Sequence, residues 1–573
     1  MFPSFITLKK NCKKISEDLT KVSMVLMGDC ATQHIATAIK GYGVQEGYNI
    51  DLLDTDYNQI LPQIMDDNSE TYNHKPDIVT IVMCSEKLYE AYCETPDDEK
   101  DTFAERKIAE ISSYWNTLKS KSDAKILQFD FPEVDDRTFG SYGAMYEKSF
   151  IYQLRQLNIL LGKTALQTGN VYIVDVSYVQ SCMGRDLFHD EKIYYAAKMP
   201  FSTEALPRIA ALVIDEVKTI KGRIKKCVVL DLDNTLWGGV VGDDGVGGIQ
   251  IGELGIGHAF WSFQLWLKEL TKRGIILAVC SKNDDDKAKE PFEKHPEMVL
   301  RLSDIAMFVA NWEDKASNIR NIQQTLNIGM DSMIFIDDNP FERNLVRSMI
   351  PEITVPEMPE DPALYVRFLQ SLNLFETLGV SSGDKDRTRQ YQEQANRANL
   401  MQQFASYDEY LENLEMVGEA KPFDEFSYPR IAQLSQRSNQ FNLRTIRYSE
   451  EDIKNIAGND NYVTRYFTLK DKFGDHGLIS VLIMKKQGDA LFIDTLLMSC
   501  RVLKRGMEEF IFNAIIEAAK EVGAEKVIGE YIKTPKNSMV EKLYLNMGFT
   551  DNGDCTYTMD VADYQTKKNY ISQ

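Results

Sequence analysis

Short apolar runs separated by longer amphipathic stretches fill the first 220 residues of the chain. Four runs rich in β-branched residues predict strands: VSMVLMGD at 22–29, DIVTIVM at 77–83, AKILQFDF at 124–131 and NVYIVDVS at 170–177. The stretches between them, such as EKSFIYQLRQLNILLGKTALQTG, have helical spacing. Because strands alternate with helices, residues 1–220 are predicted to form an α/β domain with a parallel sheet.

The same alternation returns between residues 221 and 375. The runs KCVVLDLD, GIILAVCS, IAMFVA and SMIFIDD alternate with the helical stretches HAFWSFQLWLKELTKRG and KASNIRNIQQTLNIG, the second predicted to end in a left-handed cap at Gly329. Ligands of open parallel sheets bind beyond the carboxyl ends of the strands. The polar residues just past three of the runs are therefore predicted to share one site: Asp231 and Asp233, Ser281, and Asp337 with Asp338.

The pattern changes after residue 375. Residues 376–420 are charged and rich in glutamine, which is typical of a helical linker. Residues 421–573 bring three strand-like runs in succession and then helix, strand and helix, as in a mixed α+β sheet.

Charge and cysteine content exclude several classes of function. A net charge of -21 and a pI near 4.9 disfavour a nucleic-acid-binding protein. No apolar stretch is long enough for a membrane span and the N-terminus has no signal-peptide core, so a cytoplasmic location is expected. The nine cysteines contain no CxxC pair, which disfavours a disulfide framework or a zinc site.

The segment VVLDLDNTLWGGVVGDDG carries the strongest chemical signal. In a strand, Asp231 and Asp233 would point to the same face, where two carboxylates repel each other and call for a divalent cation held by oxygen. An isolated DxDxT is also compatible with a capped loop. An EF-hand is excluded because Leu236 and Gly242 occupy the positions that require glycine and glutamate, and a P-loop is excluded because no GK[ST] follows the glycines.

Four motifs in order resemble those of the haloacid dehalogenase (HAD) superfamily: DxDxT, Ser281 in LAVCSKND, Lys315 in NWEDKASNI, and IFIDDNP. The segments HPEMVL, DDNPFERNLVRS, QRSNQFNLRT and SCRVLKRG further resemble the FkbH-like family of HAD-type glyceryl transferase/phosphatases of polyketide pathways. This resemblance implies a central HAD-type Rossmannoid domain. It also implies that 1,3-bisphosphoglycerate loses phosphate and that its glyceryl unit is loaded onto the phosphopantetheine thiol of an acyl carrier protein.

The resemblance also implies roles for individual residues. Asp231 would be the nucleophile, and Asp233 would protonate the leaving oxygen and then activate water. Lys315 would offset charge on the transferred phosphoryl group. The substrate-binding residues would be Thr235, Ser281 and Asn283, and the Mg²⁺ ligands would be Asp231, Asp233, Asp337 and Asp338.

Two features around this site are predicted less uniquely. The stretch GGVVGDDGVGGIQIG is compatible with the two-stranded flap hairpin of HAD enzymes or with a flexible loop. The acyl group could pass through a cysteine, with Cys280 best placed and Cys500 second, or directly from the acyl phosphate to the carrier. Cys280 could equally be a small buried strand residue.

The flanking regions resemble two other families. LMGDC resembles the nucleophile block of SGNH esterases with Cys30 in place of serine, and Asp186 and His189 have the DxxH spacing, so the N-terminal domain is expected to be flavodoxin/SGNH-like. The C-terminal region resembles GNAT acyltransferases. That resemblance implies a site for the pantetheine of a carrier or of acyl-CoA at Arg501, Arg505, Gly506 and Tyr544.

Together these features predict a Mg²⁺-dependent HAD-type phosphatase and acyl transferase. Its expected substrates are a phosphorylated three-carbon acid and an acyl carrier protein. Two alternatives remain open: a plain phosphatase acting on a small phosphoester, and a non-enzymatic assembly factor that binds carrier proteins.

Overall fold

A computed structural model describes residues 2–134, 136–380, 386–401, 404 and 406–573. The chain divides into two compact units, Met1–Lys218 and Thr219–Gln573. The first boundary lies within two residues of the predicted one. The second unit contains the ranges 221–375, 376–420 and 421–573, and part of the middle range (381–385, 402, 403 and 405) lies outside the described residues.

The first unit is built on a five-stranded parallel sheet of strand order β2-β1-β3-β4-β5. The strands are β1 (Thr20–Gly28), β2 (Tyr48–Asp54), β3 (Ile78–Val82), β4 (Lys125–Phe129) and β5 (Val171–Val174). The helices are α1 (Phe5–Asn11), α2 (Gln33–Gln45), α3 (Ile60–Met65), α4 (Glu70–Asn73), α5 (Ser85–Glu94), α6 (Phe103–Lys121), α7 (Phe150–Thr168), α8 (Val176–Met183), α9 (Arg185–Phe188), α10 (Glu191–Ala197) and α11 (Leu206–Ile220). The parallel α/β prediction is confirmed.

Strand β2 has no counterpart among the predicted runs. Its sequence YNIDLLD places Asn49 and Asp51 between apolar residues, so it lacks a continuous β-branched run. It lies at the edge of the sheet beside β1, where Asp51 is exposed. As an edge strand, β2 pairs with a strand on one side only, and polar residues are tolerated at such an edge.

A four-stranded parallel sheet of strand order β8-β7-β6-β9 begins the second unit and confirms the four strands predicted there. Its strands are β6 (Cys227–Leu230), β7 (Ile276–Ser281), β8 (Ile305–Ala310) and β9 (Met333–Ile336). Its helices are α12 (Val241–Asp244), α13 (Gly257–Lys272), α14 (Asp285–Lys294), α15 (Lys315–Leu326), α16 (Pro340–Met349) and α17 (Tyr365–Ser371). Residues of β6 alternate between two apolar clusters, with Val228 and Leu230 in one and Cys227 and Val229 in the other, as expected for a sheet covered on both faces.

Two local predictions in this region are wrong. The stretch after Trp237 forms the single-turn helix α12 and one backbone bridge, Gly238 to Gln250, instead of a two-stranded flap hairpin. The Asp244 carboxylate accepts the Val240 amide at 2.8 Å, which favours the helical turn. Helix α15 ends at Leu326 with Asn327, not Gly329, in the left-handed conformation, which asparagine adopts more readily than most residues.

The rest of the second unit is a mixed eight-stranded sheet of order β15-β16-β14-β13-β12-β11-β10-β17, which confirms the predicted α+β character. Its strands are β10 (Met416–Lys421), β11 (Tyr462–Asp471), β12 (Gly474–Gln487), β13 (Ala490–Met498), β14 (Lys526–Glu530), β15 (Thr550–Asp551), β16 (Thr556–Asp560) and β17 (Ile571–Ser572). Its helices are α19 (Tyr407–Asn413), α20 (Tyr428–Arg437), α21 (Glu450–Ala457), α22 (Met507–Glu521) and α23 (Leu543–Met547).

Helix α18 (Arg387–Met401) occupies much of the predicted linker, but it is packed against both sheets of the second unit. Tyr391 is 4% exposed within the apolar cluster of β6 and β7. Arg397 is fully buried and pairs with Asp471 at the end of β11 at 2.7 Å. Strand β10 also begins before residue 421. The segment is therefore a structural element of this unit rather than a free spacer.

Candidate active site

The first catalytic candidate, Asp231, follows β6 in the middle of the four-stranded sheet. Leu230 is in register with Ile336 of β9, so Asp231 lies beside Asp337. The Asp231 amide donates to the Ile336 carbonyl at 3.0 Å, which continues the ladder by one residue and fixes the backbone of the aspartate. As predicted, parallel strands bring the polar residues at their carboxyl ends together.

Lys315 joins two of these carboxylates. Its Nζ lies 2.7 Å from Asp231 Oδ2 and 2.6 Å from Asp337 Oδ2, and its side chain is 3% exposed. Lys315 is the first residue of α15, which Asp314 caps by accepting the Ser317 amide. Burial alone would lower the pKa of Lys315, but Asp231 and Asp337 raise it well above its ordinary value, so the lysine stays charged.

A cluster of carboxylates surrounds this lysine. Oxygen atoms of Asp231, Asp337 and Asp338 lie within 4.8 Å of one another. Burial and the Asp231 charge raise the pKa of Asp337 to about 6, and the same two causes raise the pKa of Asp338. One lysine therefore leaves the cluster short of positive charge, which is the electrostatic condition for binding a divalent cation.

Asp233 is held apart from the metal-ligand cluster. Its Oδ1 accepts Trp237 Nε1 at 2.9 Å and the Val241 amide at 3.0 Å, and its Oδ2 accepts Asn283 Nδ2 at 3.2 Å. Its side-chain oxygens are not among the clustered carboxylate oxygens, so the structure does not place this side chain with the predicted metal ligands. Burial raises the pKa of Asp233, which suits a group that must give and take a proton.

The remaining predicted residues border the same site. Thr235 Oγ1 donates to Asp338 Oδ1 at 3.2 Å and accepts the Asp338 amide at 3.1 Å, so it positions Asp338. Ser281 is the last residue of β7 and is 2% exposed. Asn283 contacts the site through Asp233.

Cys280 belongs to an apolar core cluster next to this site, close enough for the charges of Lys315, Asp231 and Asp337 to act on its thiol. It is fully buried in the cluster of Val229 and Ile319, and its Sγ donates to the Lys315 carbonyl at 3.7 Å. Burial raises the pKa of the Cys280 thiol well above its ordinary value. A thiol that is closed off and protonated is poorly suited to carry an acyl group, which favours the alternative of a small buried strand residue.

Two residues that the motifs did not single out support the site. Arg343 is 3% exposed and donates from Nη1 to the Asp337 carbonyl at 2.9 Å and the Asp338 carbonyl at 2.6 Å. Trp237 is fully buried and fixes Asp233. Both follow the motifs directly in sequence, but nothing in the pattern distinguishes a side chain that turns inward from one that lies on the surface.

Comparisons with known proteins identify the family. The N-terminal part of protein BF1531 from Bacteroides fragilis, which contains a phosphatase domain and was crystallised with Mg, is 47% identical and matches with a TM-score of 0.63 over 66% of this chain and 100% of that one. The family model for the FkbH N-terminal domain matches residues 23–218. The chain belongs to the FkbH-like family. It is therefore an enzyme with a HAD-type phosphatase domain, as its motifs predicted.

The C-terminal region of this FkbH-like chain is similar to acetyltransferases in fold. The ribosomal-protein-S18-alanine N-acetyltransferase of Escherichia coli is 12% identical over 27% of this chain and 98% of that one, with a TM-score of 0.21. The ribosomal-protein-S5-alanine acetyltransferase of Vibrio fischeri is 14% identical over 26% of this chain and 95% of that one, again with a TM-score of 0.21. Likeness at this level carries no functional argument. No curated protein matches the chain.

The side chains of the GNAT-like motif in this FkbH-like chain contact other residues of the chain. Arg505 is 4% exposed, and its guanidinium donates to Asp471 Oδ2 at 3.2 Å and to the Arg501 carbonyl at 2.8 Å. Tyr544 is 1% exposed, and its ring lies so close to Gly529 that an added Cβ there would be 2.2 Å away. Neither side chain faces a ligand space, so the structure does not support their predicted pantetheine contacts.

The turn that opens α22 is also occupied. Gly506 has a φ of 75°, a left-handed conformation that glycine adopts without strain. Glu508 in the first turn accepts the Lys504 amide at 3.5 Å, so a carboxylate already stands where an incoming anion would bind. Arg501, another of the predicted pantetheine residues, lines a cavity that contains several basic side chains.

A segment of the chain itself fills the gap where β13 and β14 separate. Their ladder ends at Ile493, and beyond it the Leu443 amide donates to the Leu496 carbonyl at 3.2 Å. On its other side, the Leu443 carbonyl accepts the Ile532 amide at 2.9 Å. An extended ligand therefore finds these backbone groups of the sheet already paired.

The SGNH-like motif of the first unit is buried. Cys30 is 1% exposed, and its neighbours Cys84 and Asp29 raise its pKa together with burial. His189 Nδ1 lies 2.8 Å from the Pro200 carbonyl and 3.2 Å from Glu86 Oε1, and neither partner is Asp186. In the described residues, the DxxH spacing therefore does not bring Asp186 into contact with the His189 ring. Among the described residues, no helix is both long and apolar enough to cross a membrane.

Proposed function

We propose that this FkbH-like enzyme is a Mg²⁺-dependent phosphatase that removes phosphate from a phosphorylated three-carbon acid and takes part in loading its acyl unit onto a carrier protein. The observation that carries the phosphatase part is the buried Lys315, bridging Asp231 and Asp337 in a cluster with Asp338. The acyl-transfer part rests on family membership.

The residues fit Mg²⁺. Hard divalent cations take oxygen ligands, and Asp231, Asp337 and Asp338 offer carboxylate oxygens within 4.8 Å of one another. When bound, the cation would neutralise part of the charge that the carboxylates and a phosphate share. The raised pKa values of Asp337 and Asp338 show that the carboxylates need this compensation.

The residues of the chain divide the reaction between them. An Asp231 carboxylate oxygen forms a bond to phosphorus while the ester P–O bond breaks, and Asp233 gives its proton to the leaving oxygen. Asp233 then takes a proton from water, whose oxygen attacks the aspartyl phosphate, releasing phosphate and restoring Asp231. Lys315 stays charged throughout and offsets negative charge on the phosphoryl oxygens.

Energetics separates this step from acyl transfer. If Asp231 attacked the phosphorus of an acyl phosphate, the acyl group would leave as a carboxylate and could no longer acylate a thiol. We therefore assign Asp231 to the phosphate ester of the substrate. Thioester formation would proceed by attack of the carrier thiol on the acyl carbon, which forms the C–S bond, breaks the bond to the phosphate oxygen and releases inorganic phosphate. This route needs no enzyme cysteine, in keeping with the buried position of Cys280.

One assay tests both parts. The full chain, Mg²⁺, 1,3-bisphosphoglycerate and a phosphopantetheinylated carrier are incubated and followed by phosphate release and intact mass spectrometry. A glyceryl adduct on the carrier supports transfer, whereas phosphate without an adduct leaves a plain phosphatase. Failure to release phosphate from any three-carbon phosphoester refutes the proposal and favours a carrier-binding assembly factor.

Variants separate chemistry from folding in the same assay. With 3-phosphoglycerate as the substrate, so that no acyl phosphate contributes phosphate, Asp231→Asn should abolish phosphate release, and Asp285→Asn, an exposed aspartate of α14, is the matched control and should retain it. Retained turnover in Asp231→Asn would refute the assignment of the nucleophile.

A further inference from the structure

The cavity that Arg501 lines, within residues 219–573, is rich in basic side chains. It has a volume of about 490 Å³ and lies between the start of β6, helices α18 and α20, and the loop after β13. Its basic residues are Lys226, Arg387, Arg430, Arg437, Arg501 and Lys536. Two acidic residues, Asp331 and Glu352, also line it. A chain of net charge -21 therefore concentrates positive charge at this place.

Lys226, which immediately precedes β6, is the central cation. Its ammonium donates to the Arg437 carbonyl at 3.0 Å, and no carboxylate forms an ion pair with it among the described residues. Burial lowers the pKa of Lys226 to about 8, and the charges of Arg387, Arg437 and Lys536 act in the same direction. A lysine ammonium has three donors, so this group can offer further hydrogen bonds to a ligand.

Arg501 is a second cation without a carboxylate partner in the described part of the chain. It is 5% exposed, its Nε donates to Ser499 Oγ at 3.2 Å, and its Nη1 donates to Gln390 Oε1. Arg505, four residues later in the sequence, does have a carboxylate partner, because it pairs with Asp471 at 3.2 Å. Buried cations are ordinarily paired, and in the described residues the buried Arg501 and the half-buried Lys226 have no carboxylate partner, although both line the same space.

The lining has two acidic residues against six basic ones. Asp331 forms an ion pair with Lys536, which leaves Glu352 as the other carboxylate of the wall. The wall also has an apolar part, with Leu434, Phe441 and Met498 each at most 6% exposed. A lining with both basic and apolar side chains suits a ligand with an anionic group and an organic body.

We propose that this cavity binds an organic phosphate, with Lys226 and Arg501 donating hydrogen bonds to the phosphate oxygens. The volume lies in the range of small-molecule sites, roughly 300–1,000 Å³. The site is separate from the carboxylate cluster: Lys226 and Asp231 stand at opposite ends of β6, five residues or about 16 Å apart at the rise of a strand. The inference is independent of the proposed phosphatase activity.

Titration calorimetry tests the proposal on the full chain in EDTA, which keeps Mg²⁺ from the carboxylate cluster. The probes are inorganic phosphate, 3-phosphoglycerate, 4′-phosphopantetheine and coenzyme A, which distinguish a three-carbon phosphate from a phosphorylated coenzyme. At least one organic phosphate should bind, and Lys226→Gln and Arg501→Gln should each weaken it about tenfold or more. Lys272→Gln, at the end of α13, is the surface control and should bind normally.

Each outcome of the calorimetry either supports or overturns the proposal. Binding that is unchanged in both cavity variants overturns the proposal, as does the absence of binding by every organic probe or binding no tighter than that of inorganic phosphate. Asp231→Asn should bind the organic probe as the unmodified chain does, so a failure of the phosphatase proposal would leave this result intact.

A measurement on the unmodified chain guards against misfolded variants. Cys500 lines the cavity, whereas Cys93 and Cys555 are exposed elsewhere. The bound organic phosphate should slow alkylation of Cys500 several-fold and leave Cys93 and Cys555 unaffected, as read by peptide mass spectrometry. Equal alkylation of Cys500 with and without a ligand that binds would place the ligand elsewhere and refute the proposal.

Discussion

Replacing Lys315 by methionine tests the electrostatic argument for the active site. Methionine retains much of the apolar stem but removes the charge that lies 2.7 Å from Asp231 and 2.6 Å from Asp337. Removing one partner of a buried ion pair costs about 3–5 kcal/mol because the other charge is left uncompensated. In the metal-free chain we therefore expect a large loss of stability.

Proton uptake limits this loss. A carboxyl group with an unfolded pKa of 3.8 can be buried neutral at pH 7 at a cost of about 4 kcal/mol. Asp337, whose pKa is already raised to about 6, carries about 3 kcal/mol of that cost in the unmodified chain. Completing the neutralisation of Asp337 costs only about 1 kcal/mol more, so the expected loss for Lys315→Met at pH 7 lies at or below the lower end of that range, about 3 kcal/mol or less.

Denaturant unfolding in EDTA and in Mg²⁺ measures the effect. Tryptophan fluorescence reports mainly on residues 219–573, since Trp237, Trp261, Trp266 and Trp312 lie there and only Trp115 lies in the first unit. Mg²⁺ at about 100 times its Kd adds about 2.7 kcal/mol to any state that binds it. Because the variant lacks the lysine charge, it should gain more from Mg²⁺ than the unmodified chain gains.

Two results would refute this reasoning. One is a metal-free Lys315→Met chain as stable as the unmodified chain, and the other is an equal gain from Mg²⁺ in both. Lys294→Met, which removes one side of an exposed ion pair on α14, is the control and should leave the transition unmoved. Phosphate release should be lost in Lys315→Met even where Mg²⁺ restores the fold.

Three further predictions concern other buried groups. Asp471→Asn should destabilise the chain by about 3–5 kcal/mol in denaturant unfolding, because Arg397 and Arg505 would lose their shared carboxylate; an unchanged midpoint would contradict this. Burial raises the pKa of Asp130 to about 6. Between about pH 4 and 6, Asp130 therefore keeps its proton in the folded chain and loses it in the unfolded chain. The free energy of unfolding falls as pH rises through that window. Asp130→Asn should therefore stabilise the β4 region by up to about 3 kcal/mol at pH 7 and not at pH 4, measured by hydrogen exchange of Lys125–Phe129; equal effects at both pH values would contradict it. Cys280→Ala should leave carrier loading unchanged in the mass-spectrometric assay, and loss of the adduct in a folded variant would show that the thiol takes part.

The predictable part of the site follows from strand ends. Each of the four motifs follows a strand or opens a helix, and parallel pairing fixes which strand ends meet, so Asp231 and Asp337 could be placed together from sequence alone, whereas Lys315 joins them only through the resemblance to HAD enzymes. The unpredictable part depends on side-chain direction. The periodicity places Cys280 at the end of β7 but does not reveal that its thiol is enclosed in an apolar cluster.

The flanking regions show where motif resemblance is insufficient. The spacing in SCRVLKRG indicates a turn before a helix, and that turn exists at Gly506. Whether Arg505 contacts a ligand depends on Asp471, which lies 34 residues earlier in sequence and approaches only through the long pairing of β11 with β12. The polar composition of residues 376–420 predicts the helix α18 but not its packing, in which Tyr391 joins the apolar cluster of β6 and β7 and Arg397 pairs with Asp471.

The two ends of β6 impose opposite requirements on ligands. At the carboxyl end, Asp231 and its neighbours repel any phosphate until a cation is present, so phosphate binding there should depend on Mg²⁺. At the amino end, Lys226 and Arg501 attract phosphate without a metal. A ligand that binds in EDTA therefore reports on the basic cavity, and one that binds only with Mg²⁺ reports on the carboxylate cluster. Since both sites depend on the same strand, occupancy of each can be measured in one preparation by changing only the metal.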